Sequence, residues 1–139
     1  MIIKTEPRNL ENFVYLHNQE QSSMVPELEY KAIYSLLEQI GETPENFYES
    51  ENRGRIKIKE NHISYISVFG IGLKILPESL GNLNKLENFN LGLNHLETIP
   101  ESLGNCKKLG WVFLWGNPLN EKSVNFIEEL KRKGVKVIY

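Results

Sequence analysis

The sequence predicts an α/β fold: a short right-handed solenoid with a parallel, concave sheet, closed by a helix and an antiparallel strand at one end and by a helix and strand at the other. Three observations carry this. The stretch Pro77-Glu78-Ser79-Leu80-Gly81-Asn82 returns 23 positions later as Pro100-Glu101-Ser102-Leu103-Gly104-Asn105. The same offset takes Leu86, Phe89, Leu91, Asn94 and Leu96 onto Leu109, Val112, Leu114, Asn117 and Leu119. Outside the repeated region, apolar residues fall at helical spacing on both sides.

Taken in chain order, residues Asn9 to His17 read as a short helix with Leu10, Phe13 and Val14 on one side, followed by a polar stretch from Asn18 to Ser23. Pro26 to Ile40 reads as a longer helix, with proline in its first turn, an apolar stripe of Ile33, Leu36, Leu37 and Ile40, and Gly41 as its stop. Its expected task is to cover the first rung of the solenoid. Glu42 to Asn52 is a loop, after which Arg55-Ile56-Lys57-Ile58-Lys59 alternates as a strand. Glu60-Asn61-His62 turns that strand back onto Ile63 to Val68. For Ile56 and Ile58 to share a face with Ile66 and Val68, this hairpin needs an odd-length loop or a bulge.

The rungs follow. Moving back 23 positions from the complete repeats places Ile63, Ile66, Val68, Leu73 and Leu76 where apolar residues are wanted; moving forward from Val112 and Leu114 reaches Val135 and Val137. Phe89 and Leu91 alternate with Asn88 and Asn90, so one pair faces inward and the other outward from a short strand. Asn94 and Asn117 stand where the chain leaves the sheet, and there a side-chain amide can bond backbone groups that lack ladder partners. Pro77 and Pro100 suit an irregular return path. The first rung departs from the pattern, with Ile71 in the asparagine position, which is what a terminal repeat shows.

The run Leu86-x-x-Phe89-x-Leu91-x-x-Asn94-x-Leu96-x-x-Ile99-Pro100-x-x-Leu103-Gly104-Asn105 resembles the leucine-rich repeat. It is similar to the 23-residue type found in Ras-associated, Shoc2-like proteins and in many small prokaryotic ones. The resemblance extends from about Ile63 to Tyr139. It implies a protein-binding module, with a small GTPase or its regulator as the suggested partner.

At the C-terminal end, Asn120 to Lys133 reads as a helix with Val124, Ile127 and Leu130 on one face. Lys131-Arg132-Lys133 suits the negative end of its dipole better than a nucleic-acid contact, and Gly134 stops it. Val135 to Val137 adds the last strand. The whole is expected to be one domain over residues 1–139: an N-terminal arm, helix and strand over 1–62, repeats over 63–119, and a closing unit over 120–139.

Composition narrows the function. Sixteen Lys and Arg against 18 Asp and Glu give a net charge of -2, with no general attraction to nucleic acid or an anionic membrane. Residues Met1 to Pro7 lack the features of a secretory signal, and no apolar run approaches the roughly 20 residues of a membrane span. The single cysteine, Cys106, takes the place of Leu83 one repeat later and is expected to be a buried core thiol. A cytoplasmic protein is expected.

No chemistry is signalled. His17, His62 and His95 lie in separate segments, and His17-x-x-Glu20 reads as solvated surface. Gly70-Ile71-Gly72 is a repeat turn without the third glycine of a dinucleotide fingerprint. The expectation is of no enzyme, no catalytic residues, no metal and no cofactor.

Strand parity leaves an outward set, rung by rung: Tyr65, Ser67 and Phe69; Asn88, Asn90 and Gly92; Trp111, Phe113 and Trp115; Lys136 and Ile138. Tyr65, Phe69, Asn88, Asn90, Trp111, Phe113 and Trp115 are the candidate partner-binding residues. With strands about 4.8 Å apart, Phe69 and Trp115 should stand roughly 10 Å apart across Gly92, forming a slot flanked by Arg55 and Lys57 on one side and Lys136 on the other. Another protein is the expected occupant. The alternatives are that residues 1–20 fold over the face, or that a second copy pairs through it or through the edge of Val135 to Tyr139 in a self-associating structural protein. A carbohydrate or other small molecule stacked on Trp111 and Trp115 is a further reading, supported by few outward polar groups besides Asn88 and Asn90.

Overall fold

The computed structural model describes residues 13–17, 22–48 and 55–139. It is a mixed α/β arrangement with few helices and two sheets. The first is a two-stranded antiparallel pair of β1 (Phe13–His17) and β2 (Ser22–Pro26). Over residues 13–17 and 22–23 these strands correct the helix expected over Asn9 to His17 and the polar stretch expected from Asn18 to Ser23; residues 9–12 and 18–21 lie outside the described residues. Phe13, Val14 and Tyr15 are aromatic or β-branched, and pairing with β2 gives their backbone groups ladder partners that five residues of isolated helix would lack.

Helix α1 (Glu27–Glu38) follows directly, and Gly41 ends it at φ 72°. Ala32, Ile33, Leu36 and Leu37 are buried along one stripe. Two polar residues of α1 tie it to the repeats. Gln39, just past its end, accepts from the backbone N–H groups of Lys74 (2.9 Å) and Ile75 (3.2 Å) and donates to the Ile75 carbonyl (2.7 Å). Glu29, buried, accepts from the Ile63 backbone N–H at 2.8 Å. A one-turn helix, α2 (Pro44–Phe47), lies in the segment expected to be all loop and buries Phe47.

The second sheet has five strands in the order β3 (Arg55–Lys59), β4 (His62–Ser67), β5 (Asn88–Asn90), β6 (Trp111–Phe113) and β7 (Lys136–Ile138). β3 and β4 are antiparallel and every later pair is parallel. The hairpin meets the parity requirement with a bulge: Lys59 faces His62 across a two-residue turn whose Glu60 and Asn61 have φ of 53° and 65°, and the register shifts between Lys57 and Ile58.

The repeat and the sheet register agree across the middle strands, where Ile66, Phe89 and Val112 are successive partners. The last strand is different. Val112 pairs with Val137, not with the Val135 that a 23-residue step reaches. The return path before β7 contains α3 (Glu121–Arg132), twelve residues long, where the earlier paths hold five-residue 3-10 helices at Glu78–Asn82 and Glu101–Asn105. The longer path takes two further residues. Because two is even, every side chain of β7 keeps its expected face.

Helix α3 begins with the Asn120 side chain accepting from the Ser123 N–H at 2.9 Å and ends near Gly134 at φ 99°. Its buried face is Ser123, Phe126, Ile127 and Leu130; Val124, expected there, is only partly covered. One contiguous core cluster runs from Val25 through Ile66, Phe89, Leu91 and Leu114 to Val137. Cys106 is inside it, as expected, and desolvation pushes its thiol up to about 11.

Each asparagine of the ladder serves the rung before its own. Asn94 accepts from Ile71 N–H (3.1 Å) and Leu73 N–H (3.0 Å) and donates to the Val68 and Leu91 carbonyls (both 3.0 Å). Asn117 likewise accepts from Leu96 N–H (3.0 Å) and donates to Leu91 (2.9 Å) and Leu114 (2.8 Å) carbonyls. An asparagine at position 71 would serve a turn after β3, and β3 returns by a hairpin instead. Ile71 packs against the core there.

One backbone position recurs with positive φ: Gly70 (65°), Leu93 (53°) and Gly116 (78°). Leu93 is the exception to glycine, and a Cβ added at Gly116 would lie 2.4 Å from Leu93 Cδ2. Gly116→Ala should therefore lower stability by about 1 to 3 kcal/mol. The loss should shrink in a Leu93→Gly background, where the clash is gone. Denaturant unfolding of the four proteins checks this, and equal losses in both backgrounds would assign the cost to the backbone alone.

Candidate functional site

The sheet presents three rows of side chains on its outward face. In the first, cross-strand pairing sets Lys57, Tyr65, Asn88, Trp111 and Lys136 side by side across all five strands. In the second, Ser67, Asn90, Phe113 and Ile138 are partners. Phe69, Gly92 and Trp115 make the third, just past the strand ends.

All seven predicted site residues thus lie on one surface, in different degrees of cover. Phe69, Trp111 and Trp115 are 39%, 40% and 46% exposed. Tyr65, Asn88, Asn90 and Phe113 are half-buried. Ser67, placed in the outward set, is buried; its side chain is too short to reach past the larger ones around it.

The expected slot between Phe69 and Trp115 is absent. Their rings lean together with centroids 5.9 Å apart, tilted by 49°, over Gly92. A Cβ at Gly92 would meet the Phe69 ring at 3.1 Å and Trp115 Nε1 at 3.3 Å. Glycine leaves the room, and two aromatic rings fill it because that contact removes apolar surface from water. A second aromatic pair forms along β6, where Trp111 and Phe113 stack at 5.8 Å and 8°.

The lysines do not flank a slot either. The Lys57 ammonium lies 5.0 Å from the Tyr65 ring centroid, and the Lys136 ammonium 4.7 Å from that of Trp111. Both are cation–π contacts with ring faces. With Phe113 on Trp111 as well, that indole has less free ring surface for a stacked sugar than the sequence suggests.

Sequence reading missed Leu93. It is 44% exposed and sits beside the aromatic row in a left-handed backbone conformation that costs an L-residue about 1 kcal/mol or more. The available signal was the glycine at the equivalent positions of the neighbouring rungs, Gly70 and Gly116.

Elsewhere, His62 is not isolated: its Nδ1 lies 2.6 Å from the Glu29 carboxylate, at the edge of a recess of about 340 Å³ shared with Pro26, Asn82 and Asn84. Since Glu29 also holds Ile63 N–H, the pair braces α1 against β4. His17 lies on β1, and Glu20 lies outside the described residues. Among the described residues no group of three or more His, Cys, Asp or Glu is arranged to hold a metal ion, and no helix is long and apolar enough to cross a membrane.

No protein family and no curated protein matches the chain. Among solved structures it is similar to a leucine-rich-repeat protein of Leptospira interrogans, with 32% identity and a TM-score of 0.49 over 52% of this chain. The aligned part is 18% of that protein's length.

Proposed function

We propose, from the premise that the 23-residue repeat, the parallel register and the asparagine ladder make this a leucine-rich-repeat protein, that it is an interaction module gripping another protein on its aromatic face. In this reading the five-stranded sheet is the concave side of a short right-handed solenoid. α1 with the β3–β4 hairpin closes one end, and α3 with β7 closes the other. The unit is one domain without enzymatic chemistry.

The observation that carries the reading is the exposure of Phe69, Trp111 and Trp115 on one contiguous surface with Tyr65 and Phe113. Large aromatic groups kept outward, with polar neighbours such as Asn88 and Asn90, are the usual material of interface hot spots. Residues 13–17, the first described segment, pack as β1 on β2, α1 and α2. A small GTPase or its regulator is the first partner class to try, on the strength of the Ras-associated resemblance.

Trp111→Ala and Trp115→Ala should each weaken capture of the native partner at least roughly tenfold, with stability changed by no more than about 1 kcal/mol. Binding titrations and denaturant unfolding of the same proteins check both halves. If either variant unfolds, the arm covers the face; if both bind unchanged, the partner sits elsewhere. A mass that grows with concentration, and falls back in these variants, would support the self-associating assembly reading instead.

A further inference from the structure

The first outward row is symmetrical in chemistry: a lysine at each end, an aromatic ring inside each lysine, and asparagine in the middle. Lys57 and Lys136 are both exposed, and neither has a carboxylate at ion-pair distance among the described residues. Ring contact holds each ammonium at a set position above the sheet, 5.0 Å from Tyr65 and 4.7 Å from Trp111. All three outward rows lack Asp and Glu altogether. A protein of net charge -2 thus reserves this surface for cations and rings.

The spacing selects a shape. Lys57 and Lys136 are separated by four strand intervals of about 4.8 Å, or roughly 19 Å. An extended peptide advances about 3.3 Å per residue, so six steps cover this distance, and residues an even number apart share a face. Residues two and four places from its first would then descend on either side of Asn88, into the gap between Tyr65 and Trp111, whose backbones stand two strand intervals, about 10 Å, apart. The Asn88 amide, a donor and an acceptor, matches a peptide group above it.

We propose that the partner segment is an extended acidic peptide laid across the strands, with a carboxylate at positions 1 and 7 for the two lysines and apolar side chains at positions 3 and 5 for the gap. This rests on the reading of the face as a protein-binding surface. It adds the sign of the charge, the spacing of the two acids and a path across the strands.

Trp111 and Trp115 are the protein's two tryptophans, so intrinsic fluorescence of the full chain reports the face directly. The probe is a blocked seven-residue peptide, Glu-Ser-Leu-Ser-Leu-Ser-Glu, titrated against the wild type. Saturable binding is expected, weakened at least about tenfold by Lys57→Gln, by Lys136→Gln, and by 0.5 M in place of about 0.05 M salt. Shortening the spacing to Glu-Ser-Leu-Ser-Glu should lose most of it. No binding by the acidic peptide, equal binding by a lysine-ended version, or indifference to both lysine substitutions would overturn the proposal. Equal binding by the lysine-ended peptide would nonetheless leave the aromatic face as a peptide site; the reading of the face itself fails only if Trp111→Ala and Trp115→Ala leave native-partner capture unchanged. Tighter binding of a seven-nucleotide oligothymidylate than of the acidic peptide would also overturn it, making phosphate the anion read.

Discussion

Asn94→Ala should cost about 3 to 5 kcal/mol, enough to leave a chain of this size partly unfolded. The Asn94 side chain is 3% exposed and its amide bridges two rungs, accepting from Ile71 and Leu73 N–H and donating to the Val68 and Leu91 carbonyls. Alanine would leave two N–H groups without an acceptor where water cannot reach easily, at about 1 to 3 kcal/mol each. The carbonyls suffer less. Leu91 keeps the donor from Asn117, and a carbonyl has a second lone pair. Asn117→Ala should cost less, about 1 to 3 kcal/mol, because Asn117 is only partly buried and accepts from one N–H. Urea unfolding of both variants checks the order. A loss below about 1 kcal/mol for Asn94→Ala, or a greater loss for Asn117→Ala, would mean that solvent or backbone rearrangement replaces these bonds.

Leu91→Ala should cost about 2 to 5 kcal/mol. Leu91 is fully buried in the cluster that joins Val68 and Leu73 on one side to Leu114 on the other. Its neighbours belong to stacked rungs whose strands are pinned by backbone bonds, among them Leu91 N–H to the Phe113 carbonyl at 2.8 Å. That framework cannot collapse into the vacated volume, which favours the upper half of the range. Leu93→Ala, two residues on but 44% exposed, should change stability by less than about 1 kcal/mol. Chemical denaturation of the pair separates the two positions, and similar values for both would refute the assignment of Leu91 to the core.

The inner side of the sheet was legible because burial repeats. Phe89 and Leu91 recur as Val112 and Leu114 at a constant interval, and a position occupied by an apolar residue in each period can serve only a shared core. The face opposite follows from the period of two in a strand, which leaves Tyr65, Trp111 and Phe113 outward. The same logic required an odd-length loop or a bulge in the β3–β4 hairpin, and the turn has two residues with a bulge beyond it.

Where the expectation failed, no period was available. Phe13 to His17 occurs once, and its apolar residues suit a helix face as well as a strand until β2 supplies the ladder. The two-residue offset of β7 depends on the length of a return path that is helical in only one rung. On the outward face, strand spacing gave the distance between Phe69 and Trp115 backbones but not the lean of their rings over Gly92. Nor did it seat Lys57 on Tyr65 or Lys136 on Trp111.

The repeat, the core and the choice of outward side chains are written in the order of residues, because hydrophobic burial imposes a pattern along the chain that any stacked rung must obey. Three-dimensional packing sets which outward rings touch, which cations rest on them, why position 71 needs no asparagine and how Gln39 and Glu29 fasten α1. Those outcomes depend on rotamers and on partners distant in sequence, and neither leaves a periodic trace in the order of residues.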